Sequence, residues 1–117
     1  MELVAFLGKD KENWGQITAL INRQEWEKIV IIKNKEADEF SSGKKCEIVN
    51  INSDKPMLEL KEDIMSKLRG KISAFEVALS LASGNGKEHM AMISALLSIP
   101  VGVRLVVFTK EGVEFIN

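Results

Sequence analysis

Apolar residues come along this chain in short blocks, and the spacing within the blocks alternates between solid runs and helical periods. Leu3-Val4-Ala5-Phe6-Leu7 is apolar on both faces and stops at Gly8, the pattern of a buried strand. Polar residues follow. Asn13 is then placed to cap a helix starting near Trp14, with Gln16 at the third position and Trp14, Ile17, Leu20 and Ile21 on one face. Lys28-Ile29-Val30-Ile31-Ile32-Lys33 sets four β-branched residues between lysines, a second strand. Asn34 to Gly43 is polar, with Ala37 and Phe40 as contacts of a short helix. Cys46 to Ile51 reads as a third strand. Pro56 suits the first turn of a helix over Met57 to Leu68, where Leu60, Ile64 and Leu68 recur at i, i+4 and i+8 before Gly70.

The stretch from Val77 to Phe108 organises the rest of the chain. Ile72 to Ala82 predicts a fourth strand, with Phe75, Val77, Leu79 and Leu81 on one face. Ser83-Gly84-Asn85-Gly86-Lys87 is a turn, and Asn85 with Glu88 forms a capping pair for the next helix. That helix is apolar nearly all round, with only His89, Ser94 and Ser98 polar from His89 to Ile99. A helix of this kind is buried on more than one side, and a second copy of the chain is the expected cover. Val103 to Phe108 is a fifth strand. Thr109 to Gly112 turns the chain back into an antiparallel sixth, Val113 to Ile116.

Strands that alternate with helices imply an α/β fold, a Rossmann-like three-layer sandwich with a mainly parallel sheet and a C-terminal antiparallel hairpin. Its 117 residues make one domain, 1–117. Ligands of such sheets bind beyond the carboxyl ends of the strands. Gly8-Lys9 and Ser83 to Lys87 both fall at that end.

Composition narrows the chemistry. A formal net charge of -1 gives no electrostatic case for duplex DNA. One cysteine, Cys46, and one histidine, His89, cannot build a zinc site or an internal disulfide; no metal and no cofactor are expected, and a reducing cytoplasm is. No apolar stretch reaches the roughly 20 residues of a membrane span, and the acidic start Met1-Glu2-Leu3 does not read as a signal peptide. The abundance of lysine, glutamate and isoleucine without tyrosine is a thermophile's mixture.

The turn after the fourth strand is the candidate site. Unpaired N–H groups and the positive end of a helix dipole gather there, which suits an anion. Ser83 adds a hydroxyl and Lys87 a charge. The turn is neither the P-loop G-x-x-x-x-G-K-[ST] nor the dinucleotide G-x-G-x-x-G. It lacks a G-x-S-x-G elbow, so Ser83 is not a hydrolase nucleophile. Trp14 lies near enough to Gly8 to stack on a base, and Lys9 near enough to touch a phosphate.

From Val77 to Phe108 the chain resembles the ligand-binding part of the CRISPR-associated Rossmann fold (CARF) family. There the fourth strand ends in Asp or Asn, any residue, Ser or Thr, three residues, then Lys or Arg. Ser83 takes the hydroxyl position, Gly84-Asn85-Gly86 the middle three and Lys87 the basic one, while Leu81 departs from the acidic or amide position. The hairpin and the Gly8-Lys9-Asp10 turn are similar too. The resemblance implies a homodimer that binds a cyclic oligoadenylate across its two-fold axis, in CRISPR-linked antiviral signalling. Gly8, Lys9, Ser83, Gly84, Asn85, Gly86 and Lys87 would hold the ligand, and the helix from Lys87 to Leu97 would form the interface. It also implies a metal-independent cleavage of the ring, in which Lys87 and Ser83 would be catalytic. Because the chain ends at Asn117, just after the hairpin, no effector domain is expected. Two alternatives stand beside this reading: an α/β interaction subunit whose helix docks a partner through Met92 and Leu96, the turn being only a cap, and a mononucleotide binder.

Overall fold

The computed structural model of the chain describes residues Met1–Asn117. Six strands form one sheet, β1 (Glu2–Leu7), β2 (Lys28–Lys33), β3 (Glu47–Asn50), β4 (Glu76–Ser80), β5 (Gly102–Thr109) and β6 (Gly112–Phe115). Their order across the sheet is β3-β2-β1-β4-β5-β6. All neighbours are parallel except β5 and β6, the closing hairpin. The helices are α1 (Trp14–Arg23), α2 (Met57–Leu68) and α3 (Gly86–Ser98). The α/β class, the mainly parallel sheet and the antiparallel hairpin are as the alternating pattern implies.

β1 and β2 are apolar on both faces because both faces are covered. Leu3, Ala5 and Leu7 of β1 meet Ile17, Leu20 and Ile21 of α1. Val4 and Phe6 point the other way, into a core shared with Leu60, Ile64 and Leu68 of α2 and Ala91, Met92, Ala95 and Leu96 of α3. Each large side chain in these layers is fully buried, which stabilises the fold by roughly 1.5–3 kcal/mol apiece relative to exposure. Short 3-10 turns at Lys11–Asn13 and Lys35–Ala37 fill out the α1 face, where Phe40 meets Trp14 edge-on, ring centroids 5.8 Å apart.

Two local expectations are corrected. β4 begins at Glu76, not Ile72, and Phe75 is 98% exposed rather than on a core face. Ser73 leaves the strand line to bond Glu2, its hydroxyl donating to Oε2 at 2.6 Å and its N–H to Oε1. Asn13 precedes α1 but makes no cap bond; its side chain donates to Asp10 Oδ2 at 2.7 Å instead.

Candidate functional site

β1 and β4 are neighbours at the middle of the sheet, where the chain reverses its order of strands. Their following turns therefore lie side by side, although 75 residues separate Gly8 from Ser83. The two turns are stitched together. Gly8 N–H donates to Ser83 Oγ at 2.8 Å, and Ser83 Oγ–H donates to Asp10 Oδ1 at 2.7 Å. Gly84 N–H donates to the same Asp10 oxygen at 3.0 Å. Trp14 Nε1–H closes the seam by donating to the Gly8 carbonyl at 2.9 Å. A Cβ on Gly8 would stand 2.8 Å from Gly84 Cα and 2.7 Å from Asp10 Oδ1, so only glycine admits this approach.

Asp10, the last residue of the Gly8-Lys9-Asp10 turn, is the acceptor that joins the two turns. Burial alone would raise its pKa, but hydrogen bonds from Asn13, Ser83 and the Gly84 backbone outweigh it and hold the carboxyl below the ordinary value of 3.8. Such a group contributes stability that is fully present above the unfolded value and is lost as pH falls through the lower folded one. Asp10→Asn keeps the Oδ1 acceptor of Ser83 and Gly84, loses the Oδ2 acceptor of Asn13, and removes the titration. Its unfolding free energy, from urea melts, should fall less between about pH 5 and pH 3 than the parent's; parallel curves would contradict the assignment.

α3 starts directly after this seam. Asn85 Oδ1 accepts from Glu88 N–H and Glu88 Oε1 accepts from Asn85 N–H, both at 2.9 Å, the capping box that the Asn85–Glu88 spacing predicts. Glu88 is only 4% exposed. Its Oε2 accepts from Asn34 Nδ2 at 2.9 Å and from Ser53 Oγ at 2.6 Å, so one carboxylate ties α3 to the ends of β2 and β3. Lys87 is exposed and its Nζ rests on the Ser53 carbonyl at 2.8 Å. Asn85, Gly86 and Lys9 are exposed as well.

The named turn residues thus divide. Gly8, Ser83 and Gly84 form a floor; the Ser83 hydroxyl is fully buried and engaged twice. Lys9, Asn85, Gly86 and Lys87 form the open rim. Asp10 and Glu88 supply two carboxylates beneath that rim, and they occupy N–H groups of Gly84 and Asn85 that an anion would otherwise use. What remains for an anion is the amino end of α3 at Gly86 and Lys87 and the Lys87 ammonium.

Beyond the turn, α3 is not buried all round. Ala91, Met92, Ala95 and Leu96 face the core, whereas Met90 and Leu97 are 63% and Ile93 37% exposed. Met92 and Leu96 are therefore core residues; the outer stripe is Met90, Ile93 and Leu97. It lines a shallow groove of about 470 Å³ that begins at Gly86 and His89 and runs past Ser94 to Ser98. A second, polar cleft of about 570 Å³ opens over the ends of β2 and β3, between Lys33, Asn34, Asn50 and Asn52. Its trace in the sequence is a pair of asparagines near strand ends, Asn34 directly after β2 and Asn52 two residues after β3.

No group of histidine, cysteine, aspartate or glutamate residues is arranged to hold a metal ion. No helix is long and apolar enough to cross a membrane. No protein-family model matches the chain, and no curated protein matches it.

Proposed function

We propose that the chain is a binding domain for a cyclic oligoadenylate that works as a homodimer, as its resemblance to the CARF family implies. One observation carries the reading: Gly86 at the open rim and the exposed stripe Met90–Ile93–Leu97 line one groove along the same helix, and Lys87 lies in that helix's first turn. The stripe spaces its apolar side chains at i, i+3 and i+7 beside the small residues Ser94 and Ser98. A narrow seam of large and small residues can meet its own copy across a two-fold axis, each copy supplying knobs and hollows. A cyclic phosphodiester is a closed ring of negative charge. Two copies would offer it two helix amino ends and two Lys87 ammoniums without a strongly basic surface.

Titration calorimetry with cyclic tetra-adenylate and cyclic hexa-adenylate, with ATP and AMP as controls, tests this. One ring should bind per two chains. Lys87→Ala should leave the melting midpoint unchanged and remove roughly 2 kcal/mol at each of two sites, on the order of a thousandfold in affinity. Binding of ATP at one per chain would replace this reading with the mononucleotide one.

The second reading, an interaction subunit, is favoured by the carboxylates that already cap the turn. It expects Lys87→Ala to change nothing, no ring to bind, and Met90→Glu with Leu97→Glu to abolish association in sedimentation runs.

A further inference from the structure

We infer that His89 is the general base of a ring-opening reaction, taking the proton from a ribose 2′-hydroxyl through Nδ1. The inference rests on the cyclic oligoadenylate reading above and adds to it the one group that a metal-free cleavage requires.

One hydrogen bond fixes the tautomer of His89. His89 Nε2 lies 2.8 Å from the backbone oxygen of Ser83. A carbonyl oxygen only accepts, so Nε2 must carry the hydrogen. In the neutral ring the lone pair is then on Nδ1. Nδ1 makes no hydrogen bond within the protein and is not fully buried. The ring is half-buried and stands beside Gly86 at the head of the α3 groove. A backbone acceptor on one ring nitrogen and a free lone pair on the other is the arrangement by which hydrolases orient a catalytic imidazole.

The anchor is itself rigid. The Ser83 side chain is fastened to Gly8 and Asp10, and Gly84 packs so closely that a Cβ there would stand 3.0 Å from His89 Nε2. The seam between the β1 and β4 turns therefore fixes the imidazole, and a hydroxyl that is too buried to touch a ligand still serves the site.

The step balances without a metal or co-reactant. Nδ1 accepts the 2′-hydroxyl proton as the 2′-oxygen attacks the adjacent phosphorus. The bond from phosphorus to the 5′-oxygen breaks in line on the far side, the departing 5′-oxygen takes a proton from water, and the imidazolium returns its proton to the hydroxide so formed. The products are a 2′,3′-cyclic phosphate and a free 5′-hydroxyl, and the ring is linear.

The test incubates the dimer with cyclic tetra-adenylate, cyclic hexa-adenylate and their 2′-O-methyl analogues, following binding by calorimetry and product by mass spectrometry. Wild type should bind and open the ribose rings and leave the 2′-O-methyl rings intact. His89→Gln can still donate to Ser83 but carries no base; it should bind within about twofold of wild type and cleave roughly a hundredfold more slowly. Added imidazole should restore part of the rate to His89→Ala, which a purely structural role would not allow. Binding without any product, cleavage of the 2′-O-methyl rings, or a His89→Gln rate equal to wild type overturns the base while leaving the binding reading intact. Failure of wild type to bind either ring overturns both.

Discussion

Gly84→Ala is expected to lower the thermal midpoint by roughly 15 °C. Gly84 holds φ at +105°, a backbone conformation that side-chain-bearing residues rarely adopt. A Cβ there would also stand 2.8 Å from Phe6 Cδ1, 3.0 Å from His89 Nε2 and 3.2 Å from Glu88 Oε1. None of the three can yield cheaply, since Phe6 is fully buried on the central strand and the other two are hydrogen-bonded. The positive φ costs about 1–2 kcal/mol and the overlap about 1–3 kcal/mol. A loss near 4 kcal/mol shifts the midpoint of a domain this size by about 4 °C per kcal/mol. The same change two residues later is the control. Gly86 opens α3, has no positive φ and has nothing within 4 Å of its missing Cβ. Gly86→Ala should therefore hold or raise the midpoint. Equal melts for the two variants, measured by calorimetry, would show that the turn is not held as described.

The second large effect is expected at Glu88. Glu88→Ala strands three donors at once: the Asn85 N–H, the Asn34 amide and the Ser53 hydroxyl. With a desolvation cost of about 1 kcal/mol or more for each, the loss is roughly 3 kcal/mol. Glu88→Gln is informative because its shape is the same. Both carboxylate oxygens accept, so the glutamine N–H₂ must face a donor whichever way it turns, and only part of the stability returns. Asn34→Ala combined with Glu88→Ala should cost less than the sum of the two single changes, because they break a shared bond. Strict additivity in urea denaturation, or a Glu88→Ala loss below about 1 kcal/mol, would deny the network its role.

Much of the scaffold could be read from local pattern. β2 and α2 occupy the stretches that their β-branched run and i, i+4, i+8 leucine–isoleucine spacing mark out. The Asn85–Glu88 box was legible because a cap needs only residues three apart. Phe75 was misplaced for the complementary reason. Apolar residues continue back through Phe75, Ala74 and Ile72, and nothing local reveals that Ser73 is drawn off by Glu2, 71 residues away. The candidate turn was visible, but its division into floor and rim was not. That division depends on β1 lying beside β4, a fact of strand order that no short window contains. Asp10 was hidden for the same reason, since an aspartate in a polar loop looks solvated until the partner turn arrives. On α3 the apolar content was plain; which positions face outward followed only once α2 was known to pack against Met92 and Leu96.

Strand order also has a consequence for how the chain is made. β1 lies at the centre of the sheet yet precedes most of its surroundings in the sequence. Its partner on one side, β2, follows after a single helix; its partner on the other, β4, begins only at Glu76. On the ribosome the apolar run Leu3–Leu7 would wait, one edge unpaired and the α2–α3 side bare, until β4 and α3 had emerged. Non-local pairing of this kind folds slowly and leaves a sticky intermediate. A nascent chain with that history is a natural client for ribosome-associated chaperones, and a truncation before β4 would leave the open edge of β1 as a seed for aggregation.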